Sequence, residues 1–142
     1  SSPYEYPGSM GGGYIYLKVN RKLTLGGTIT ANATTVKNRG GTGAGGGILI
    51  DAHKFVVEPG AVLSAKGGNQ TWSGYGSGAG GIIAVWTGRP YTGSDSDLRL
   101  AQEQAIPAGL SVDIGAGYDT NPGEPGSAKF LDLNVGLIIL VR

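Results

Sequence analysis

The chain has 142 residues, of which 28 are glycine, 7 are proline and none is cysteine, and its formal net charge is +1. The lack of cysteine excludes a disulfide framework, a thiolate metal site and a catalytic thiol, and the small net charge argues against a nucleic-acid binder with a basic surface. Only 15% of the residues are charged, and Val, Ile, Leu and Thr are gathered into short runs, which is typical of an ordered β protein.

Residues 1–10, SSPYEYPGSM, are irregular and predict an N-terminal arm or cap. A strand follows, in which Ile15, Leu17 and Val19 alternate with residues that face outward, the period-two pattern of a half-buried strand. Predicted corners at residues 20–22 and 26–27 separate it from two further short strands. Three short strands with tight corners are the layout of one coil of a parallel β-solenoid.

The same layout recurs at a fixed interval. Gly13 and Gly47 are 34 positions apart, as are Ala31 and Ala65, and Gly81 follows Gly47 by the same interval. Self-similarity at a period of about 20 to 50 residues indicates a solenoid or another repeat array. We therefore predict an all-β fold, a parallel β-helix or β-solenoid of about three and a half coils with long glycine-rich loops.

This fold predicts two columns of stacked apolar side chains. One column contains Ile15, Ile48 and Ile83 (or Ile82), and the other contains Leu17, Ile50 and Val85. The predicted organisation is an arm or cap at residues 1–10 and a single β-solenoid domain at residues 11–142, with coils near 11–44, 45–79 and 80–125 and a partial coil at 126–142.

The third coil carries a predicted insertion. Gly109 lies 49 residues after the matching Gly60, which exceeds the period of 34 by 15 residues. The extra residues fall within 87–105 and include LRLAQEQA, the only segment with a helix-like composition. Insertions in repeat proteins map to loops, often on the binding face.

The runs GGGYIYLKVNRKLTLGGTITAN, GSGAGGIIAVW and PGSAKFLDL resemble the glycine-rich β-helical repeats of very large secreted or cell-surface proteins of bacteria and protists. The resemblance covers about four fifths of the chain and implies the fold. It implies a structural or adhesive role at the cell surface, and it transfers no catalytic residue. The insertion and the proline-containing opening depart from the pattern.

Two motifs with possible chemistry have weak support in the sequence. Residues 41–46 and 76–81 both satisfy G-x-G-x-x-G, but each leads into a strand, whereas a dinucleotide fingerprint opens a helix. His53 is the only histidine and follows Asp51 by two positions. A lone histidine cannot build a zinc site, so a surface corner is the preferred interpretation. We expect no cofactor.

Oxygen-bearing side chains offer two further candidates. Asp95 and Asp97 are weak candidates for calcium ligands, to which Asp113, Asp119 and Glu124 could add oxygens if brought close. Calcium takes about six to eight oxygen ligands, so a solvated turn is the preferred interpretation and we expect no metal site. Asn32 and Asn69 begin the sequons Asn-Ala-Thr and Asn-Gln-Thr, each at the start of a long loop. In a secreted eukaryotic chain these would be surface glycosylation sites.

Five aromatic residues fall in or near predicted loops: Trp72, Tyr75, Trp86, Tyr91 and Tyr118. Sugar-binding surfaces use such rings because a flat apolar face covers the C–H face of a pyranose. The alternative is that these rings pack over glycine-rich loops and cover exposed backbone. They are therefore candidate carbohydrate contacts.

The chain ends in VGLIILVR, and we predict a strand that is covered either by residues outside a single copy of the chain or by its own N-terminal arm; its residues are Leu137, Ile138, Ile139, Leu140 and Val141. Residues 1–66 carry seven basic and three acidic side chains, whereas residues 67–142 carry four basic and seven acidic ones. Unlike ends favour a head-to-tail contact that builds a fibre. The alternative is that this chain is one piece of a longer polypeptide.

Three functions are open at this point. The preferred one is an extracellular or cell-surface structural module that assembles with itself. The alternative is a carbohydrate-binding or adhesive module. A polysaccharide-cleaving β-helix fragment is less favoured, because cleavage needs paired carboxylates on one face and only Asp113 lies on a predicted strand. We expect no enzyme, and no membrane insertion either, because no apolar run approaches ~20 residues.

Overall fold

The computed structural model describes residues 7–37, 39–88 and 101–133. Within these ranges the chain is all-β and has no helix. The strands in chain order are β1 (Tyr14–Leu25), β2 (Thr28–Thr30), β3 (Gly47–Val57), β4 (Ala61–Ser64), β5 (Ile82–Thr87), β6 (Gln102–Gln104), β7 (Leu110–Asp113) and β8 (Ser127–Asp132).

The strands form two sheets, and the chain alternates between them. The larger sheet has the order β1-β3-β5-β8-β6, and the smaller sheet has the order β2-β4-β7. All neighbouring strands are parallel except β6 and β8, which are antiparallel. We call β1 with β2 the first level, β3 with β4 the second level, and β5 with β7 the third level.

The strand register confirms the predicted columns. Ile15 pairs with Ile48 and Ile48 with Ile83, whereas Ile82, the alternative member, pairs with Gly47. The second column is confirmed in the same way, with Leu17 next to Ile50 and Ile50 next to Val85. Phe130 of β8 extends the second column by one strand.

Both sheets contribute to one hydrophobic core. Ile48, Ile50, Leu63, Ile83 and Val85 are fully buried and belong to a single cluster. Because successive side chains of a strand point to opposite faces, the alternate positions of β3 and β5 supply the larger sheet's share of this core. Leu63 of β4 supplies a share from the smaller sheet.

One predicted corner is wrong. Strand β1 continues through residues 20–22, and its pairing with β3 shifts register between Val19 and Lys22. Two residues of β1 therefore stand opposite one residue of β3, which is a β-bulge. The bulge bends the strand without ending it, so hydrogen bonding between the two strands resumes at Lys22.

The inserted length is confirmed, and the described part of its helix-like segment, residues 101–105, is not helical. Thr28 pairs with Val62 at a separation of 34, whereas Ala61 pairs with Leu110 at a separation of 49. Most of the insertion lies outside the described residues, but Gln102–Gln104 forms strand β6. Strand β6 pairs with β8, and an ion pair of 2.9 Å between Glu103 and Lys129 joins the two strands. Pairing with β8 outweighs the helix propensity of residues 102–104.

The glycine runs at the start of β3 and β5 have a hydrogen-bond pattern that differs from that of the strands. The N–H groups of Gly45, Gly46 and Gly47 donate to three separate neighbours, which are Ala79 O (2.8 Å), Ala31 O (2.8 Å) and Gly13 O (3.0 Å). One level later Gly80, Gly81 and Ile82 donate to Glu124 O, Ala65 O and Gly46 O. Three successive N–H groups thus reach three separate segments, whereas the hydrogen bonds of a strand alternate between two neighbours.

Alanine at Gly46 should be strongly destabilising. Its Cβ would meet the backbone carbonyl oxygen of Gly13, whereas a Cβ at Gly27 meets no atom within 4 Å. Overpacking against a fixed backbone costs about 1–3 kcal/mol, so Gly46→Ala should lower the free energy of unfolding by this amount in chemical denaturation. The control variant Gly27→Ala should change it by no more than about 0.5 kcal/mol. Equal effects of the two variants would contradict the close approach of the two backbones.

Candidate functional site

The structure brings three of the five candidate aromatic residues to neighbouring loops. Trp72, Tyr75 and Tyr118 are 47%, 45% and 81% exposed. Trp86 differs because it lies in β5 and is only 4% exposed. Its burial makes it unsuitable as a ligand contact. Tyr91 lies outside the described residues. We call residues 71–77 and 117–121 together the loop tip.

Hydrogen bonds join the two loops of the tip. The N–H of Gly76 donates to Asp119 Oδ2 at 2.8 Å, and the N–H of Gly74 donates to Thr120 Oγ1 at 3.2 Å. The hydroxyls of Ser73 and Thr120 are 3.3 Å apart. The loop that carries Trp72 and Tyr75 is therefore fixed to the loop that carries Tyr118.

A buried glutamine supports the tip from below. The side chain of Gln70 accepts the N–H of Trp72 at 3.0 Å and donates to the carbonyl of Gly40. Its backbone N–H donates to Tyr118 O at 3.0 Å. Sequence reasoning did not single out Gln70, because glutamine is common in solvated loops and only the meeting of three loops reveals its role.

Arg39 is a second residue that sequence reasoning did not single out. Its guanidinium carbon lies 5.3 Å from the centroid of the Trp72 ring, within the range of a cation–π contact. The two residues are 33 positions apart, close to the repeat interval. That spacing is the one sequence signal that could have indicated their contact.

Asp119 is held in its charged form. Partial burial acts to raise the pKa of Asp119, but hydrogen bonds to its carboxylate from the backbone and hydroxyl of Thr120 and from the backbones of Gly76 and Gly74 lower the pKa below its ordinary value of 3.8. A carboxylate that accepts several N–H groups is stabilised as the anion. The charged carboxylate thereby orders the turn that presents Tyr118.

Protonation of Asp119 should loosen the tip. Because the pKa is lower in the folded chain than in the unfolded one, the carboxylate contributes stability at any pH above 3.8 and loses it as the pH falls below 3.8 through the folded value. Thermal unfolding of the parent and of Asp119→Asn should therefore differ at neutral pH and converge in acid. Glu124→Gln, which changes an exposed carboxylate nearby, is the control. A constant difference between parent and Asp119→Asn at all pH values would contradict this role.

The two sequon asparagines act as acceptors between levels. Asn32 Oδ1 accepts the hydroxyl of Ser64 and the N–H of Lys66, both at 2.7 Å. Asn69 Oδ1 accepts the N–H of Tyr118 at 2.8 Å. Their positions are not equivalent, since the residue 34 positions after Asn32 is Lys66. A glycan attaches to the amide nitrogen and leaves these oxygens in place, so glycosylation stays a prediction.

The glycine motifs offer no phosphate cradle. The N–H groups of Gly43, Gly45 and Gly46 donate to Ser9 Oγ, Ala79 O and Ala31 O. In the second motif Gly76, Gly78, Gly80 and Gly81 all donate to acceptors of the chain itself. A phosphate site needs free N–H groups that point at the ligand. Both motifs therefore act in folding.

The remaining polar candidates do not assemble into a site. Asp95 and Asp97 lie outside the described residues. Asp113 accepts the N–H of Gly115 and lies 3.9 Å from the Lys66 ammonium. In the part of the chain that the structure describes, no three His, Cys, Asp or Glu side chains are placed to hold a metal ion.

The corner interpretation of Asp51 and His53 is wrong, although His53 is exposed at the surface as expected. Both lie within β3, and Asp51 is only 3% exposed. The imidazole Nδ1 of His53 is 2.7 Å from the carbonyl oxygen of Gly88, so Nδ1 carries the proton and donates it. This bond links the middle of β3 to the residue that follows β5.

The first level presents an open edge. Strands β1 and β2 are the terminal strands of their sheets, and within residues 7–37, 39–88 and 101–133 no strand pairs with their outer sides. Residues 14–30 carry three basic and no acidic side chains. At the opposite end, residues 101–133 carry five acidic side chains and one basic one. The two ends therefore have opposite charge.

Comparison of the chain with protein-family models, with curated proteins and with solved structures gave no match. In the described residues there is also no helix with the length and hydropathy of a membrane span. The features that indicate a function are therefore the open edge, the charges of the two ends and the loop tip.

Proposed function

We propose that the chain is a parallel β-solenoid repeat module with a structural role, which stacks head to tail in an extracellular filament or cell-surface fibre. The solenoid is supported by strands that return to the same sheet in parallel and by one core shared between both sheets. An extracellular setting is supported by the two sequons and the resemblance to surface repeats. The proposal includes no catalytic activity.

The observation that carries the proposal is the open edge of β1. The strand has 12 residues, about twice the usual length of a strand. An unpaired strand edge is a template for another strand. Strand β2 is the corresponding edge strand of the smaller sheet. Both sheets of a neighbouring module can therefore pair with strands of the first level.

Charge supports pairing of unlike ends. The basic side chains of the first level include Lys18, Arg21 and Lys22, and the acidic side chains of the last described segment include Glu103, Asp113 and Asp132. Contact between two first levels would bring like charges together, which is unfavourable, whereas a head-to-tail contact brings opposite charges together. The favoured assembly is therefore polar and open-ended.

The opposite end is partly covered. Strand β6 pairs with Phe130, Leu131 and Asp132 of β8, so it covers one half of that strand. The edge of β7 and the first half of β8 stay available within the described residues. The predicted joint at Leu137–Val141 lies outside those residues. If the chain is part of a longer polypeptide, the next level is covalently attached and uses the same edges.

Proline at position 16 tests the stacking. Gly47 N donates to Gly13 O, and hydrogen-bonding direction alternates along a strand, so the N–H of Tyr16 points to the open edge. Tyr16→Pro removes a donor that β3 does not use, and proline is tolerated on such an edge. We expect normal folding by circular dichroism and loss of assemblies in electron micrographs and sedimentation.

The matched control is Tyr16→Thr, which removes the same ring and keeps the N–H group. This variant should still assemble. Filaments of Tyr16→Pro equal to those of the parent would show that the β1 edge is not the joint. A parent protein that stays monomeric at high concentration would contradict stacking of separate chains.

A further inference from the structure

We propose that the loop tip is a binding surface for a neutral polysaccharide, a role that goes beyond the structural one and does not depend on it. Three aromatic rings, those of Trp72, Tyr75 and Tyr118, are exposed on two adjoining loops. An exposed ring can cover the C–H face of a pyranose while neighbouring polar groups bond its hydroxyls. Both components are present at this tip.

The backbone segments that carry the rings are held in place before any ligand arrives. Gln70 fixes the backbone at Trp72, Asn69 fixes the backbone at Tyr118, and Asp119 fixes Gly76 next to Tyr75. Rigid contact residues reduce the entropy that is lost on binding. Rings that merely covered a mobile loop would not need three separate side chains to fix their backbones.

Arg39 orients the ring of Trp72. Its guanidinium lies over one face of the indole, so the sugar is placed on the opposite face. The contact also engages the positive charge of Arg39, which reduces its attraction for an acidic ligand. Asp119, the one charged residue within the tip, is occupied by hydrogen bonds from the chain. Charges of the tip are thus used internally.

The composition of the tip favours sugar over other ligands. Between and beside the rings lie short uncharged polar residues, namely Thr71, Ser73, Ser77, Thr120 and Asn121. A protein interface would need a contiguous apolar centre, and an anionic membrane or a nucleic acid would need several free basic groups. Isolated rings set among hydroxyl and amide groups match the alternating apolar and polar surface of a pyranose chain.

The test is affinity electrophoresis of the unglycosylated protein in gels that contain hydroxyethyl cellulose, mixed-linkage β-glucan, xylan or pullulan, with alginate as an acidic comparison. We expect retardation by at least one neutral polymer, and weaker binding by about tenfold for Trp72→Ala and for Tyr118→Ala. Tyr14→Ala is the matched control, since Tyr14 is 69% exposed on the larger sheet and lies away from the tip.

Fluorescence gives an independent readout. The chain has two tryptophans, and Trp86 is buried, so a polymer-induced change in emission should come from Trp72 and vanish in Trp72→Ala. Thermal unfolding of each variant checks folding. Retardation by none of the neutral polymers would overturn the proposal. It would equally be overturned by retardation that persists in both tip variants, that is lost in Tyr14→Ala, or that occurs only with alginate and disappears in high salt.

Discussion

Close approach of backbone to backbone at the glycine runs is the constraint on which the rest of the structure depends. At Gly46 and Gly81 a Cβ atom would meet the carbonyl oxygen of the preceding level, at Gly13 and Gly46 respectively. Glycine at these two positions lets the backbones come close enough for the N–H groups of the runs to reach three different neighbours. This contact sets where each strand of the larger sheet begins, and hence whether Ile48 and Ile83 stack in one column. The apolar core follows from the glycine contacts, although the core supplies the hydrophobic stabilisation.

The same constraint explains why glycine motifs in this chain carry no ligand chemistry. The N–H groups that would bind a phosphate donate to acceptors of the neighbouring levels instead. The two segments that match G-x-G-x-x-G therefore act in folding. The candidate binding surfaces are then found where this stacking of levels stops. One such place is the outer edge of β1, where pairing ends within the described residues. The other is the loop tip, where short loops replace the glycine runs and side chains such as Trp72 and Tyr118 reach solvent.

The sequence was sufficient for the columns and insufficient for the loop contacts, for a physical reason. The apolar residues Ile15, Ile48 and Ile83 show both the period-two alternation and the spacing between levels in the sequence itself, so their register could be predicted. Glycine has no side chain whose polarity would indicate which groups surround it. The partners of Gln70 and Asp119 come from loops that are distant in sequence. The bulge between Val19 and Lys22 could not be predicted either, because an alternating pattern on both sides of a polar segment is equally compatible with a corner and with one continuous strand.

Stacking and sugar binding, if both proposals hold, would reinforce each other. A head-to-tail assembly repeats every surface feature once per module, so the rings of Trp72, Tyr75 and Tyr118 would recur along the fibre. A polysaccharide is itself a repeating ligand, and binding at one tip raises its effective concentration at the next. Such multivalent binding strengthens attachment by about 10²–10⁴ without any new contact, provided that the geometry allows several tips to engage one polymer. A weak individual site is therefore sufficient for adhesion, which removes the need for a deep pocket at the tip.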